Sequence, residues 1–271
     1  MGKKFITVSF NDQCLNSIEK IKKCKLILKQ YKQDVAVVVG VIDINDFNIN
    51  KKFLELGKCS AKVIEKKWKA IEEYFVQLYK ELKLKGNYKE LLAYTCQTIL
   101  KKEQTADYEN FVASRANYLS SFILSEYFGL LLNEPDNLVE LERVSDEVDF
   151  KKNQLNINGY VIKSFIVGGH YCKKENQIKY FGNSGIELIS AIIAICLGSD
   201  TYVYYNHITD KKAFETNISA EETVVELMSG KTSILNLSAL QLLADSTCLL
   251  LIKDISKLDD EPISFFSNKV D

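Results

Sequence analysis

The chain has 271 residues, 46% of them hydrophobic and 26% charged, which is enough for one α/β domain with a well-buried sheet. Its net charge is −1, and only Arg115 and Arg143 accompany the lysines, so it lacks both the field and the bidentate phosphate grip expected of a nucleic-acid binder or of a protein held on an anionic membrane. The seven cysteines are scattered without a C-x-x-C pair, which indicates neither a disulfide framework nor a zinc site and reads as buried thiols in a reducing compartment. No metal site is expected.

In chain order, residues 5–10 form a short β-prone run. Asn11 or Asp12 is placed to cap the helix that follows, which carries Leu15, Ile18, Ile21 and Leu28 on one face. Residues 34–42 form a nearly continuous apolar strand, the mark of a parallel sheet covered on both sides, and complete a β-α-β unit. Residues 46–132 read as helical. The stripe Ile64, Trp68, Ile71, Phe75, Leu78 and Leu82 predicts one long amphipathic helix ending near Gly86-Asn87, with Trp68 in the core, and residues 107–132 carry another. Residues 132–158 are an acidic connection with turn chemistry around Pro135 and one short strand expected near 147–150.

The stretch 158–214 organises the rest, reading as strand, turn, strand, glycine-bearing loop, helix, strand. An apolar run from Tyr160 to Val167 ends in Gly168-Gly169, Ile178-Lys179-Tyr180-Phe181 follows a polar turn, and Gly182-Asn183-Ser184-Gly185 leads into the apolar segment 186–197. Small residues feeding a helix N-terminus can hold an anion through unpaired amides and the helix dipole, although a glycine turn there serves steric ends equally well. Glu187 either favours that dipole or contacts a ligand. His170 follows Gly168-Gly169 at a strand end where this class of fold places ligands, whereas His207 belongs to no metal pattern and both histidines read more simply as structural or surface groups. Lys163, Lys173 and Lys174 read as solvated. Ser219-Ala220-Glu221-Glu222 is a helix start of the capping-box type, and residues 247–253 form a closing strand. No stretch approaches the roughly twenty apolar residues of a membrane span, and residues 1–4 lead straight into a strand, so a cytoplasmic location is expected.

Order and spacing resemble the catalytic region of an aspartokinase, a member of the amino acid kinase family. Ser164-Phe165-Ile166-Val167 resembles the family's "GFIG" strand, and Phe181 to Leu188 lies over its "LGRGGSDY" loop. Leu197-Gly198-Ser199-Asp200, followed by Tyr204-Tyr205-Asn206-His207-Ile208, resembles "ALGAD…WTDVDGV". Ser9-Phe10-Asn11-Asp12-Gln13-Cys14 stands at "KFGGTS", Ser114 to Ser121 at "SYGERLSS", and Ser233 to Leu240 at "KVLHPRAV". The resemblance implies a three-layer α/β/α sandwich with a mainly parallel central sheet and a helical insertion in the N-terminal half. It implies a single kinase-like domain over 1–271, with an N-terminal lobe at about 1–155 and a C-terminal nucleotide-type lobe at about 156–271.

By the same resemblance, the nucleotide and phosphate positions are Ser9, Asn11, Asp12, Gly168, Gly182, Asn183, Ser184, Gly185 and Asn206. The substrate positions are Asn117, Tyr118 and Glu187. Each motif keeps its neighbours and loses its charged centre: Ser9 stands for a lysine, Asn11 and Asp12 for glycines, Asn183 for an arginine, Ile186 for a serine, Glu187 and Asn206 for aspartates, and Asn117 and Tyr118 for the substrate-binding glutamate and arginine. Phosphoryl transfer depends on neutralising the charge spread over the moving phosphoryl oxygens. The expectation is therefore a non-catalytic, ligand-binding or regulatory homologue that works as a homo- or hetero-oligomer or with a protein partner. The alternative is a divergent kinase that uses ATP and Mg²⁺ on a carboxylate of aspartate or a related small molecule, and a different enzymatic use of the cavity comes third. The chain stops where many aspartokinases continue into ACT domains, so their absence is expected.

Overall fold

The computed structural model describes residues 5–142, 147–161, 163–207 and 236–256, together with the backbone of 264–266. The helix start at 219–222, Arg143, Ser233 and Ile208 lie outside the described residues.

In chain order the elements are β1 (Phe5–Phe10), α1 (Ile18–Leu28), β2 (Asp34–Val39), α2 (Ile49–Leu56), α3 (Ala61–Glu81), α4 (Tyr88–Lys101), α5 (Tyr108–Phe128), β3 (Leu131–Asn133), α6 (Pro135–Leu138) and β4 (Glu140–Leu141). They continue as α7 (Phe150–Tyr160), β5 (Phe165–Gly168), β6 (Tyr171–Lys174), β7 (Gln177–Tyr180), α8 (Gly185–Leu197), β8 (Thr201–Asn206), α9 (Leu237–Ala244), β9 (Leu249–Asp254) and β10 (Ser264–Phe266).

Seven strands form the central sheet in the order β10-β9-β8-β1-β2-β5-β3, parallel except for the edge strand β10, which is antiparallel to β9. The period of two decides which helix layer each strand residue meets. Val37 and Val39 join Val8, Phe10 and Ile166 against α1 and the helices α2 to α5. Ala36, Val38, Phe165 and Val167 point the other way, onto α7 and α8, while Tyr202, Tyr204, Leu250 and Ile252 pack on α8 and α9. The chain is thus a three-layer α/β/α sandwich with its extra helices in the N-terminal half, and a small second sheet, β4-β6-β7, lies beside it. The predicted stripe is the buried face of α3, where Trp68 stands edge-on to Phe53 with ring centroids 6.0 Å apart.

Five local expectations are corrected. Asn11 caps only the single 3₁₀ turn Asp12–Cys14, accepting from the Cys14 N–H at 3.2 Å, and α1 is capped instead by Ser17, which accepts from the Lys20 N–H at 3.2 Å. The parallel ladder of β2 ends at Val39, because Val41 and Ile42 turn to bond side chains of other elements. Residues 150–160 are helical rather than the end of a connection and the start of a strand; Asp149 caps α7 by accepting from the Lys152 N–H at 2.9 Å, and only the single bridge Leu141–Val148 is left of the strand expected near 147–150. The ladder of β5 begins at Phe165, where the Ser164 side chain donates to Asp34 Oδ1 at 2.8 Å and accepts from the Val35 N–H at 3.0 Å, fixing the register of β5 on β2. The supposed polar turn after Gly169 contains β6, which pairs antiparallel with β7. All seven cysteines are free thiols, five of them buried, with Cys59 and Cys96 partly exposed. No helix among the described residues is long and apolar enough to cross a membrane.

Candidate ligand site at the carboxyl edge of the sheet

From β1 the chain builds outward through β2 and β5 on one side, then returns to place β8 and β9 on the other. The order reverses at β1, and the crevice beyond the carboxyl ends of the strands at such a point is where open α/β sheets bind ligands. Asn11 and Asp12 follow β1, Gly40 follows β2, Gly168 and Gly169 close β5, and Asn206 closes β8.

These residues are joined by their own side chains. Asp12 Oδ1 accepts from the Val41 N–H at 2.8 Å and from His170 Nε2 at 3.0 Å, and Asn50 reaches Asp12 Oδ2 at 3.5 Å. His170 is fully buried, and its Nδ1 has no partner among the described residues. Asn117, buried on α5, donates to the Val39 carbonyl at 3.0 Å and accepts from the His170 N–H at 3.1 Å, tying the ends of β2 and β5 together. Two glycines make room for this arrangement: a Cβ at Gly40 would overlap the Asp12 carboxylate, and one at Gly168 would overlap the Asn117 amide.

A second branch runs across the β1–β8 side. Asn11 donates to Asn206 Oδ1 at 2.6 Å and to the Tyr204 hydroxyl at 3.3 Å, and that hydroxyl donates to Glu187 Oε1 at 2.9 Å. Burial pushes the Glu187 carboxyl up to about 7, against the opposing pull of the Tyr204 hydroxyl and of the backbone N–H of Asn236. Asn236 also donates to the Ser184 carbonyl at 3.1 Å and caps α9, so it fastens that helix to the start of α8. Asn183 accepts from Asn50 at 3.3 Å, and Asn50 in turn accepts from the Tyr180 hydroxyl at 3.3 Å.

Of the positions expected from the sequence, Asn11, Asp12, Gly168, Asn183, Asn206, Asn117 and Glu187 meet at this edge. Gly182 and Ser184 form the turn before α8, Gly182 with φ +66°, and Gly185 begins the helix, where the space for a Cβ is taken by the Gly169 carbonyl and Phe181. Ser9 is buried inside the sheet, bonded to the Tyr202 hydroxyl at 2.8 Å. Tyr118 makes no hydrogen bond in this network among the described residues; its ring lies 4.9 Å from the Arg115 guanidinium. His170, read more simply as structural or on the surface, is buried and joins this network through Asp12 and Asn117, which agrees with the structural reading and not with the surface one. Asn50 and Tyr180 were not expected; Asn50 comes from α2, read from the sequence only as part of a helical region, and no motif marks it.

The group a kinase would place here is the triphosphate of ATP with Mg²⁺, and the described residues around Asp12 do not fit it. A carboxylate already takes the Val41 N–H, and no lysine or arginine among the described residues forms an ion pair with Asp12. An anion brought to that amide would meet like charge.

No family model matches the chain, and no curated protein does. Solved structures do. Aspartate kinase from Clostridium acetobutylicum aligns with a TM-score of 0.81 at 19% identity, over 99% of this chain and 63% of its own. Aspartokinase III of E. coli, solved in complex with aspartate and ADP, aligns with a TM-score of 0.79 at 11% identity, over 99% of this chain and 65% of its own. Carbamate kinase from Giardia lamblia aligns with a TM-score of 0.53 at 8% identity, over 98% of both chains. The chain therefore spans somewhat under two thirds of the aspartokinases that it matches, and what it shares with them and with carbamate kinase is the amino acid kinase fold.

Proposed function

We propose that this chain is a non-catalytic homologue of aspartokinases, one that uses the fold to bind a ligand or a protein partner and not to transfer phosphate. One observation carries the reading: the Asp12 carboxylate occupies the amide at the end of β2 and the space above Gly40, so the edge of the sheet is neutralised by an anion of the protein's own. Asn117 fills the corresponding space above Gly168 in the same way. Phosphoryl transfer needs positive charge converging on the phosphate oxygens, and the first turn after β1 supplies a negative one.

A phosphotransfer assay tests this. Incubation with γ-labelled ATP, Mg²⁺ and a panel of amino acid acceptors is expected to leave every acceptor unlabelled above the protein-free background. Labelling of aspartate or any other acceptor above that background would sink the proposal.

The second reading is a divergent kinase acting on a carboxylate of a small molecule. It is favoured by Glu187, a buried carboxyl poised near neutrality beside Tyr204 at the same edge, the kind of perturbed group that active sites collect.

A further inference from the structure

Charge is distributed unevenly along the chain. Residues 17–33, which contain α1, carry six lysines against Glu19 alone, a charge of +5, whereas residues 134–142 and 147–149 carry six acids and no base, a charge of −6. Together they account for the whole net charge of −1, so the remainder is neutral and these two stretches stand out as opposite poles.

The basic pole is one face of a helix. Ile21, Cys24 and Ile27 turn inward, which leaves Lys22, Leu26 and Lys29 outward at steps of four and three residues, with Lys23 beside them and Lys32 just past the helix end. Lys20 and Lys25 are bound to the carbonyls of Gln13 and Tyr127. Lys22, Lys23, Lys29 and Lys32 form no ion pair among the described residues. Leu26, 54% exposed, stands in the middle of this face and offers apolar area to whatever docks there.

The acidic pole is concave. β4, the start of α7 and the β6–β7 turn enclose a groove of about 630 Å³ that Glu140, Glu142, Asp149, Glu175 and Lys152 line. Glu140 is paired with Lys152 at 2.8 Å and with Lys173 at 3.6 Å, and Asp149 is committed to capping α7, but Glu142 forms no ion pair among the described residues. Four carboxylates against two lysines leave the groove negative.

The poles do not meet within one chain. α1 packs into the core on one face of the central sheet with α2 to α5, whereas Leu141 of β4 and Ile157 of α7 pack into the core on the other. Complementary patches held apart on one molecule are brought together when a second molecule presents its pole to the first.

We infer that these two surfaces form a head-to-tail contact between copies of this chain, the outward face of α1 on one copy lying over the Glu140, Glu142 and Glu175 groove of the next. Such a contact is heterologous, so each pair keeps one free pole at either end and further copies add as a ring or an open chain. A membrane or a nucleic acid would use the basic face alone and leave the acidic groove idle; a second copy uses both. Exposed lysine–carboxylate pairs are individually weak and screened by salt, so the association depends on concentration and ionic strength. It holds whether or not the sheet edge transfers phosphate.

Sedimentation of the full chain tests this, with mass recorded against protein concentration at two ionic strengths. At about 0.01 M salt, where charges act over about 30 Å, the weight-average mass should climb with concentration to at least about twice its value at about 1 M, where that range falls to about 3 Å. Reversing the helix face (Lys22→Glu with Lys29→Glu) should remove the rise, and so should reversing the groove (Glu142→Lys with Glu175→Lys), which leaves the Asp149 cap of α7 in place. Mixed in equal amounts, the two reversed proteins should associate again, because each offers the other a complementary patch; a variant that had merely misfolded would not be rescued. A wild-type mass that does not rise at low salt, a rise that survives either reversal, or a mixture that stays dissociated would overturn the inference. Capture of poly-glutamate or of anionic lipid vesicles by the helix face of a chain that does not self-associate would assign that face to a different partner, and would overturn it equally.

Discussion

Asp12→Ala should destabilise the protein far more than a residue on a surface turn would. The carboxylate satisfies two donors, the N–H of the buried Val41 and the Nε2 of the fully buried His170, whose other ring nitrogen already has no partner among the described residues. Each buried donor left without an acceptor costs about 1–3 kcal/mol, and relief of the carboxylate's own desolvation returns part of that, so the net loss is about 3 kcal/mol. Urea unfolding at neutral pH, followed by circular dichroism, measures it as a lower midpoint at an unchanged slope. The double-mutant cycle with His170→Ala isolates the pair, and a charge-assisted contact of this geometry predicts a coupling of about 1.5–3 kcal/mol. A loss below about 0.5 kcal/mol for Asp12→Ala, together with no coupling to His170, would refute the claim that this carboxylate holds the strand ends together.

Further outcomes follow from the same geometry. Because the folded-state value of Glu187 is raised from 4.5 to about 7, its contribution to stability is fully present below pH 4.5 and is lost as pH rises through 7. Glu187→Gln removes that dependence, so the stability difference between variant and wild type should grow in the variant's favour by about 3 kcal/mol from pH 4.5 to 8; a flat difference would contradict the burial argument. Gly168→Ala places a methyl group on the Asn117 amide and should cost about 2–4 kcal/mol by breaking its bonds to Val39 and His170, whereas the same change at Gly159, with open space around it, should cost under about 0.5 kcal/mol, as paired urea titrations would reveal.

Much of the architecture was legible in the sequence because it is written in local periodicity. The continuous apolar run of β2 announced a sheet covered on both faces, and the stripe from Ile64 to Leu82 gave α3 almost to its ends. Where the signal was weak, the reading failed. Among the described positions α7 buries only Asn153 and Ile157, so the β-prone residues at its end, Tyr160 and Val161, outweighed a helical pattern that tertiary packing and the Asp149 cap in fact sustain. The strands β6 and β7 are four residues each and polar at their outer ends, so half of the hairpin looked like a turn.

The site was legible in a different way. The resemblance to aspartokinase motifs grouped Asn11, Asp12, Asn117, Glu187 and Asn206 as nucleotide or substrate positions, but could not state what they do there. The contact between Asp12 and His170 joins residues 158 positions apart, and the one between Asn50 and Asn183 joins residues 133 apart. Such pairings depend on the sheet order and on rotamers, neither of which a linear pattern encodes. Ser9 illustrates the limit: it occupies the place of a lysine in the motif, yet its side chain points into the sheet and bonds Tyr202 instead of facing the crevice.

The most direct test of a self-filled site is the thermal midpoint of the wild-type chain with and without Mg-ATP at about 5 mM, where even a dissociation constant near 50 μM would add about 2.7 kcal/mol. An unchanged midpoint, in a protein that unfolds cooperatively, is the predicted result. An upward shift that requires Mg²⁺ would show that the triphosphate displaces or bypasses the Asp12 carboxylate, and would contradict the account.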